Sequence, residues 1–354
     1  MEKSVALKLA QRCLPFFERK GVGRLTDIES VRPKSLLGLW TGAGRVDAVE
    51  VTGKGGSASF VVKTIGSHKE IDDELALVDH MSYYNEATFY EQDFAERLCA
   101  SGAMCPQPLL VDRAPSGELT ICMTMLPGRS FSRSPEQTRQ ALQWLARLHA
   151  LFWGKRADEA VRQGAAERAC FWDLTRRHIE LKRMPQDALR YAAHGIDARL
   201  QADKMQTMCH GDPKGANIMH DEEAGIAFYD FQWFGKAPPA KDLAYFFGVA
   251  AGGLSSEDKE RELLRAYHAE LTPLLDRSIA KIRLAMCVCV RSDRMPCHQS
   301  FLRQQGVAAG PRVCHQRRHS RDPGEAVGDV QLCTCNGCAK SFWPVVSLAV
   351  CASC

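Results

Sequence analysis

Residues 4–20 place Leu9, Cys13, Phe16 and Phe17 on one helical face and leave Lys8, Arg12 and Glu18 outward. The spacing predicts a helix. The period then shortens: Ala48-Val49-Glu50-Val51 alternates, Gly53-Lys54-Gly55-Gly56 turns, and Ala58 to Ile65 reads as the returning strand of a hairpin. Helical spacing resumes over Asn85–Leu98, with Glu86, Tyr90, Phe94 and Leu98 on one face. Two more strands, 109–111 and 119–126, flank the turn Ala114-Pro115-Ser116-Gly117. A helix opens at Ser134-Pro135-Glu136-Gln137, with Ser as cap and Pro in the first position, and runs to about Trp153. Its inward face carries Leu142, Leu145, Leu148, His149 and Phe152, and His149 reads as a core histidine. Residues 155–205 read as helical and charged. Short strands at Ile218-Met219 and Ala227-Phe228-Tyr229 then bracket a turn, and helices begin near Pro238 and at Ser255.

A chain of 354 residues is long for one core and fits two lobes. Apolar content of 45% and charged content of 25% are ordinary for a globular protein. A net charge of +4 is mild and argues neither for nor against a nucleic-acid partner, and none is expected. No basic stretch followed by an apolar run opens the chain, and the run from Phe342 to Ala352 is too short to span a bilayer. The expectation is a cytoplasmic protein with no membrane contact and no obligate protein partner.

The chemistry concentrates in Cys209-His210-Gly211-Asp212-Pro213-Lys214-Gly215-Ala216-Asn217, followed by Tyr229-Asp230-Phe231-Gln232. Phosphoryl transfer from ATP needs a carboxylate to orient the attacking hydroxyl and oxygen ligands to hold Mg²⁺ against the phosphates. Asp212, Asn217 and Asp230 supply that set. A turn rich in Gly, Asp and Asn is the plain alternative. The layout is that of the kinase motifs His-x-Asp-x-x-x-x-Asn and Asp-Phe-Gly, but Gly211 and Gln232 depart from the protein-kinase form.

With those departures the stretch resembles the aminoglycoside phosphotransferase and choline kinase group, and within it the ecdysteroid-kinase-like (CHK kinase-like) branch. The resemblance covers about residues 35–280. It implies an α+β, two-lobed, protein-kinase-like fold: a small antiparallel β lobe and a larger, mainly helical lobe. The corresponding partition is an N-terminal helical extension at 1–34, a small lobe at 35–126, a helical lobe at 127–285 and an atypical tail at 286–354. The implied reaction moves the γ-phosphoryl group of ATP to a hydroxyl of a small molecule. Asp212 would orient that hydroxyl, and Asn217 and Asp230 would hold Mg²⁺. Lys63, in a Val- and Ile-rich strand, would hold the phosphates. Glu86, a carboxylate among aromatics, needs a cation, and Lys63 is the natural one. Gly42 and Gly44 would cover the nucleotide, although a plain hairpin turn reads the same way. By resemblance, Thr124 to Leu126 would offer the adenine edge. His210 and Lys214 would support the loop, while Asp242 would cap its own helix or brace the loop.

Residues 287–354 hold nine of the fifteen cysteines, with eight Lys or Arg and four Asp or Glu, and lose all periodicity. Cys333, Cys335 and Cys338 with His315 and His319 suggest zinc, though not at a standard spacing. A disulfide module is a further alternative, and the favoured reading is a Cys- and Arg-rich tail that is disordered or encodes no fold. If part of the acceptor pocket is missing, the chain would be an impaired pseudokinase or a nucleotide-binding module.

Overall fold

The computed structural model describes residues 1–69, 71–251 and 257–275. Helix α1 (Lys3–Cys13) packs on a five-stranded antiparallel sheet made of β1 (Ser30–Gly38), β2 (Gly44–Gly53), β3 (Gly56–Ile65), β4 (Pro108–Arg113) and β5 (Leu119–Thr124), in the order β1-β2-β3-β5-β4. Between β3 and β4 run α2 (Glu74–Glu91) and α3 (Phe94–Ala100). The remainder is mostly helical. It comprises β6 (Arg129–Ser130), α4 (Pro135–Leu151), α5 (Lys155–Arg162), α6 (His178–Arg183), α7 (Ala188–Ala202), β7 (Thr207–Cys209), β8 (Ile218–Asp221), β9 (Gly225–Phe228), β10 (Gly235–Ala237), α8 (Ala240–Val249) and α9 (Glu257–Leu274). This is the two-lobed α+β arrangement expected.

Strand parity sets the faces. In β3, Ala58, Phe60 and Val62 join Ala6, Leu9, Ala10, Cys13 and Phe17 in one core, while Ile65 belongs to the other, shared with α2 and the helical lobe. Each large apolar side chain buried between α1 and the sheet contributes about 1.5–3 kcal/mol. Lys63 has the parity of Ile65, so it faces the second core, where a charge must find partners. β1 begins at Ser30, inside the segment read as an extension.

Four readings change. β1 is not predicted by the sequence pattern because Pro33 interrupts it; as an edge strand it tolerates a residue without an N–H. The first helix stops at Cys13, and Pro15 allows only a single 3₁₀ turn after it. The helix read over 85–98 starts at Glu74, where the Asp73 side chain accepts the Ala76 N–H at 2.7 Å, and breaks at the extended Gln92. Residues 163–177 are not helical. There the carboxylate of Asp173 accepts from Arg168, from the N–H and hydroxyl of Thr175, and from Lys241, which favours a local fold over a helix. The zinc and disulfide readings of the tail lie outside the described residues.

Candidate active site

The Lys63 ammonium is held between two carboxylates. It donates to Glu86 Oε2 on α2 and to Asp230 Oδ1 at 2.9 Å, and lies 4.8 Å from the Tyr83 ring centroid. Burial opposes its charge, but Asp230 and Glu86 outweigh burial and hold its pKa above that of an ordinary lysine. Burial pushes Glu86 up, and Lys63 offsets only part of that. Burial acts on Asp230 in the same sense, yet Lys63, with Lys214 and His210, brings it below the usual carboxylate range. Asp230 is one of few non-glycine residues with positive φ, at 70°, a conformation that Asp tolerates better than most.

The loop after β7 is fixed from behind. Gly211 has φ of 85°, and a Cβ there would stand 2.1 Å from the Trp233 carbonyl oxygen, so only glycine fits. The buried Asp242 carboxylate accepts the His210 N–H at 2.7 Å on Oδ2 and the Gly211 N–H at 2.9 Å on Oδ1. His149 Nε2 lies 3.2 Å from the same Oδ2, and His149 Nδ1 lies 2.8 Å from the Tyr267 hydroxyl. Asp242 therefore braces the loop and does not cap its helix, which starts after Pro239 without a side-chain cap. His149, read as a core histidine, is one link in that brace.

Asp212 is almost fully buried. Lys214 Nζ donates to Asp212 Oδ2 at 2.6 Å, and Asn217 Nδ2 donates to the same oxygen at 3.0 Å and to the Asp212 carbonyl at 2.9 Å. Burial raises its pKa, Lys214 offsets part, and the Asp230 charge adds to the rise. The Tyr245 hydroxyl lies beside the carboxylate and helps hold its pKa down, while no group among the described residues meets Asp212 Oδ1 in full hydrogen-bond geometry. With both N–H contacts of Asn217 directed at Asp212, its amide oxygen is left to face elsewhere. That oxygen and the Asp230 carboxylate are hard donors of the kind Mg²⁺ takes. Backbone contact between Tyr229 N–H and Asn217 O, at 3.1 Å, ties the two donor segments together.

A seam that the sequence reading missed positions α2. Asp79, Ser82, Asn85 and Glu86 recur at helical spacing on a face that faces protein. Arg177 donates to Asp79 at 2.7 Å, and Ser82 donates to the Gln232 side chain at 3.1 Å. Asn85 donates to the carbonyls of Gln232 and Phe234 at 3.1 and 2.7 Å, and Glu86 receives Lys63. Phe231 stacks on Phe89 with centroids 3.9 Å apart. The available signal was a polar stripe inside an otherwise apolar helix. Gln232, noted only as a departure from Gly, thus anchors the segment after Asp230 to the helix that carries Glu86.

Gly42 and Gly44 lie at the β1–β2 turn, and Gly44 pairs with Ile65, two residues beyond Lys63 on β3. A Cβ on Gly44 would stand 1.9 Å from the Thr64 carbonyl oxygen. Thr124 and Leu126 stand further off: Lys63 pairs with Ile121, and Thr124 lies three residues along β5, about 10 Å away. The Thr124 N–H is already engaged by the Gln107 carbonyl at 2.9 Å. Leu126 is half-buried in the segment entering the helical lobe.

A family model described as the phosphotransferase enzyme family matches residues 45–278. No curated protein matches the chain. Among solved structures it is similar to a macrolide 2'-phosphotransferase from Brachybacterium faecium, with 19% identity, TM-score 0.44, and coverage of 83% of this chain and 93% of that one. It is also similar to an ethanolamine kinase of Plasmodium vivax, with 14% identity, TM-score 0.46, and coverage of 86% and 94%. A choline kinase of Streptococcus pneumoniae gives 15% identity, TM-score 0.44, and coverage of 87% and 94%.

Proposed function

The chain belongs to the phosphotransferase enzyme family, and from that premise we propose that it moves the γ-phosphoryl group of ATP to a hydroxyl of a small molecule. One observation carries the reading. Lys63 is clamped between Glu86 and Asp230, while Asp212 keeps a buried carboxylate oxygen that no group among the described residues meets in full hydrogen-bond geometry. The acceptor hydroxyl would donate to that oxygen. A hydroxyl held there keeps its oxygen lone pair directed at the phosphorus, and the raised pKa of Asp212 suits it to take the proton as the bond forms. Lys63 would hold the phosphates of the nucleotide, and Glu86, bonded to it, would position it there. The backbone of Gly42 and Gly44 would cover those phosphates, and the segment Thr124–Leu126 would border the base. Asn217 and Asp230 would hold Mg²⁺, which when bound offsets charge on the phosphate oxygens.

The rival reading, a nucleotide-binding module without transfer, rests on the tail after residue 285, outside the described residues. No helix among the described residues is long and apolar enough to cross a membrane. The test is transfer of labelled phosphate from γ-labelled ATP, with Mg²⁺, to a panel of amino alcohols, sugars, sterols and aminoglycosides. Labelled product with wild type and none with Asp212→Asn supports the proposal. Nucleotide binding without transfer to any class would favour the binding module.

A further inference from the structure

Outside the site, the loop joining α3 to β4 brings two thiols together. Cys99 Sγ and Cys105 Sγ are 3.7 Å apart, with Cys99 partly exposed and Cys105 buried. Cys99 Sγ accepts the Gln107 side-chain N–H at 3.0 Å and the Cys105 backbone N–H at 3.4 Å. Gln107 in turn is bonded twice to Thr124: its own N–H donates to Thr124 Oγ1, and its carbonyl accepts the Thr124 N–H, both at 2.9 Å. We propose that Cys99 and Cys105 are a thiol modification site, closed to a disulfide by a low-molecular-weight disulfide such as oxidised glutathione, and linked through Gln107 to Thr124.

The environment prepares Cys99 as the attacking group. The Cys105 thiol, helped by the Cys105 backbone N–H, brings the Cys99 pKa down to about 7 against the effect of burial. A thiol near ambient pH is well matched to exchange. Cys99 thiolate attacks the small disulfide, whose sulfur–sulfur bond breaks and releases one small thiolate. Cys105, giving its proton to solvent, then attacks the Cys99 sulfur and expels the second. Two protein thiols are oxidised and one small disulfide is reduced. The sulfurs must close by about 1.7 Å to reach bonding distance. The loop between them is anchored, since the Met104 carbonyl accepts from Trp144 Nε1 at 2.7 Å and from the Phe228 N–H at 3.3 Å. The movement therefore falls on Cys99, which is then lost to Gln107 as a thiolate acceptor.

Trypsin cuts after Arg97 and Arg113, so peptide 98–113 holds these two cysteines and none of the other thirteen. After the full chain is treated with oxidised glutathione, that peptide is expected two hydrogens lighter. In Cys105→Ser it should keep a glutathione adduct on Cys99, and Cys99→Ser should carry neither. Amide exchange at Thr124 should be tenfold faster or more in the oxidised protein. If either variant fails to fold, the wild-type peptide mass still decides. A peptide that stays reduced while other cysteines react overturns the site, and unchanged exchange at Thr124 overturns the link.

Discussion

Replacing Asp242 by Asn tests the brace behind the loop that carries Asp212. The wild-type carboxylate accepts two backbone N–H groups, at 2.7 and 2.9 Å, in a fully buried position, with His149 at 3.2 Å. An Asn side chain offers one acceptor oxygen and turns an NH₂ group toward the other donor. One charge-assisted bond worth about 1.5–3 kcal/mol is lost, and one buried N–H is left unpaired at about 1–3 kcal/mol. The sum is about 2.5–6 kcal/mol, a fall in melting temperature of roughly 4–10 °C for a chain of this size. His210 and Gly211 lead directly into Asp212, so a small shift of the loop should reduce kcat roughly 100-fold. KM for ATP should barely move, because Asp242 contacts neither Lys63 nor Asp230. The pH dependence is equally specific. Burial acts to raise the Asp242 pKa, but His149, His210 and the Gly211 N–H hold it below the ordinary aspartate value. Its stabilisation is then present above the unfolded-state pKa and lost as pH falls through the folded one, so wild type and variant should converge in acid. Melting curves over pH, with steady-state kinetics, read both effects. An Asn variant as stable and as active as wild type would refute the brace.

Asp212 has the opposite sign: burial holds its pKa up, so ionising it costs stability as pH rises from the unfolded value through the folded one. Asp212→Asn should therefore melt no lower than wild type at neutral pH while transfer falls by about 10²–10⁴-fold, and wild-type kcat should lose activity in acid above the usual aspartate range. A large drop in melting temperature would contradict the assignment. Gly211→Ala forces a Cβ to 2.1 Å from the Trp233 carbonyl, at a φ that alanine rarely adopts; it should yield little folded protein, measurable as soluble expression and circular dichroism. Lys63→Met leaves Glu86 and Asp230 facing each other without a cation, so ADP affinity measured by calorimetry should fall tenfold or more, and an unchanged affinity would remove Lys63 from the nucleotide site.

Some of this was legible in the sequence because the chemistry is local. Asp212, Asn217 and Asp230 stand at short fixed spacings, and the metal-binding roles proposed for Asn217 and Asp230 follow from oxygen chemistry. Lys63 and Glu86 were legible for other reasons. Lys63 follows from its Val- and Ile-rich strand and the family resemblance, while Glu86, a carboxylate on an aromatic helix face, requires a partner of opposite charge. The seam of Asp79, Ser82 and Asn85 was not legible, because each partner lies about a hundred residues or more away and only the fold brings them together. His149 failed to declare itself for the same reason: its partners, Asp242 and Tyr267, come from helices later in the chain. Residues 163–177 misled the periodic reading, since Asp173 organises them through ion pairs that leave no hydrophobic pattern.

The central claim, that Lys63, Asn217 and Asp230 form a nucleotide site, is tested most directly by the melting temperature with and without Mg·ATP. A ligand that binds only the native state at a hundredfold over its Kd adds about 2.7 kcal/mol, or roughly 4–5 °C for a chain of this size. The account predicts such a rise for wild type, and its loss when Asp230 is replaced by Ala. A melting temperature that Mg·ATP leaves unchanged, or raises equally in the Asp230→Ala protein, would contradict it.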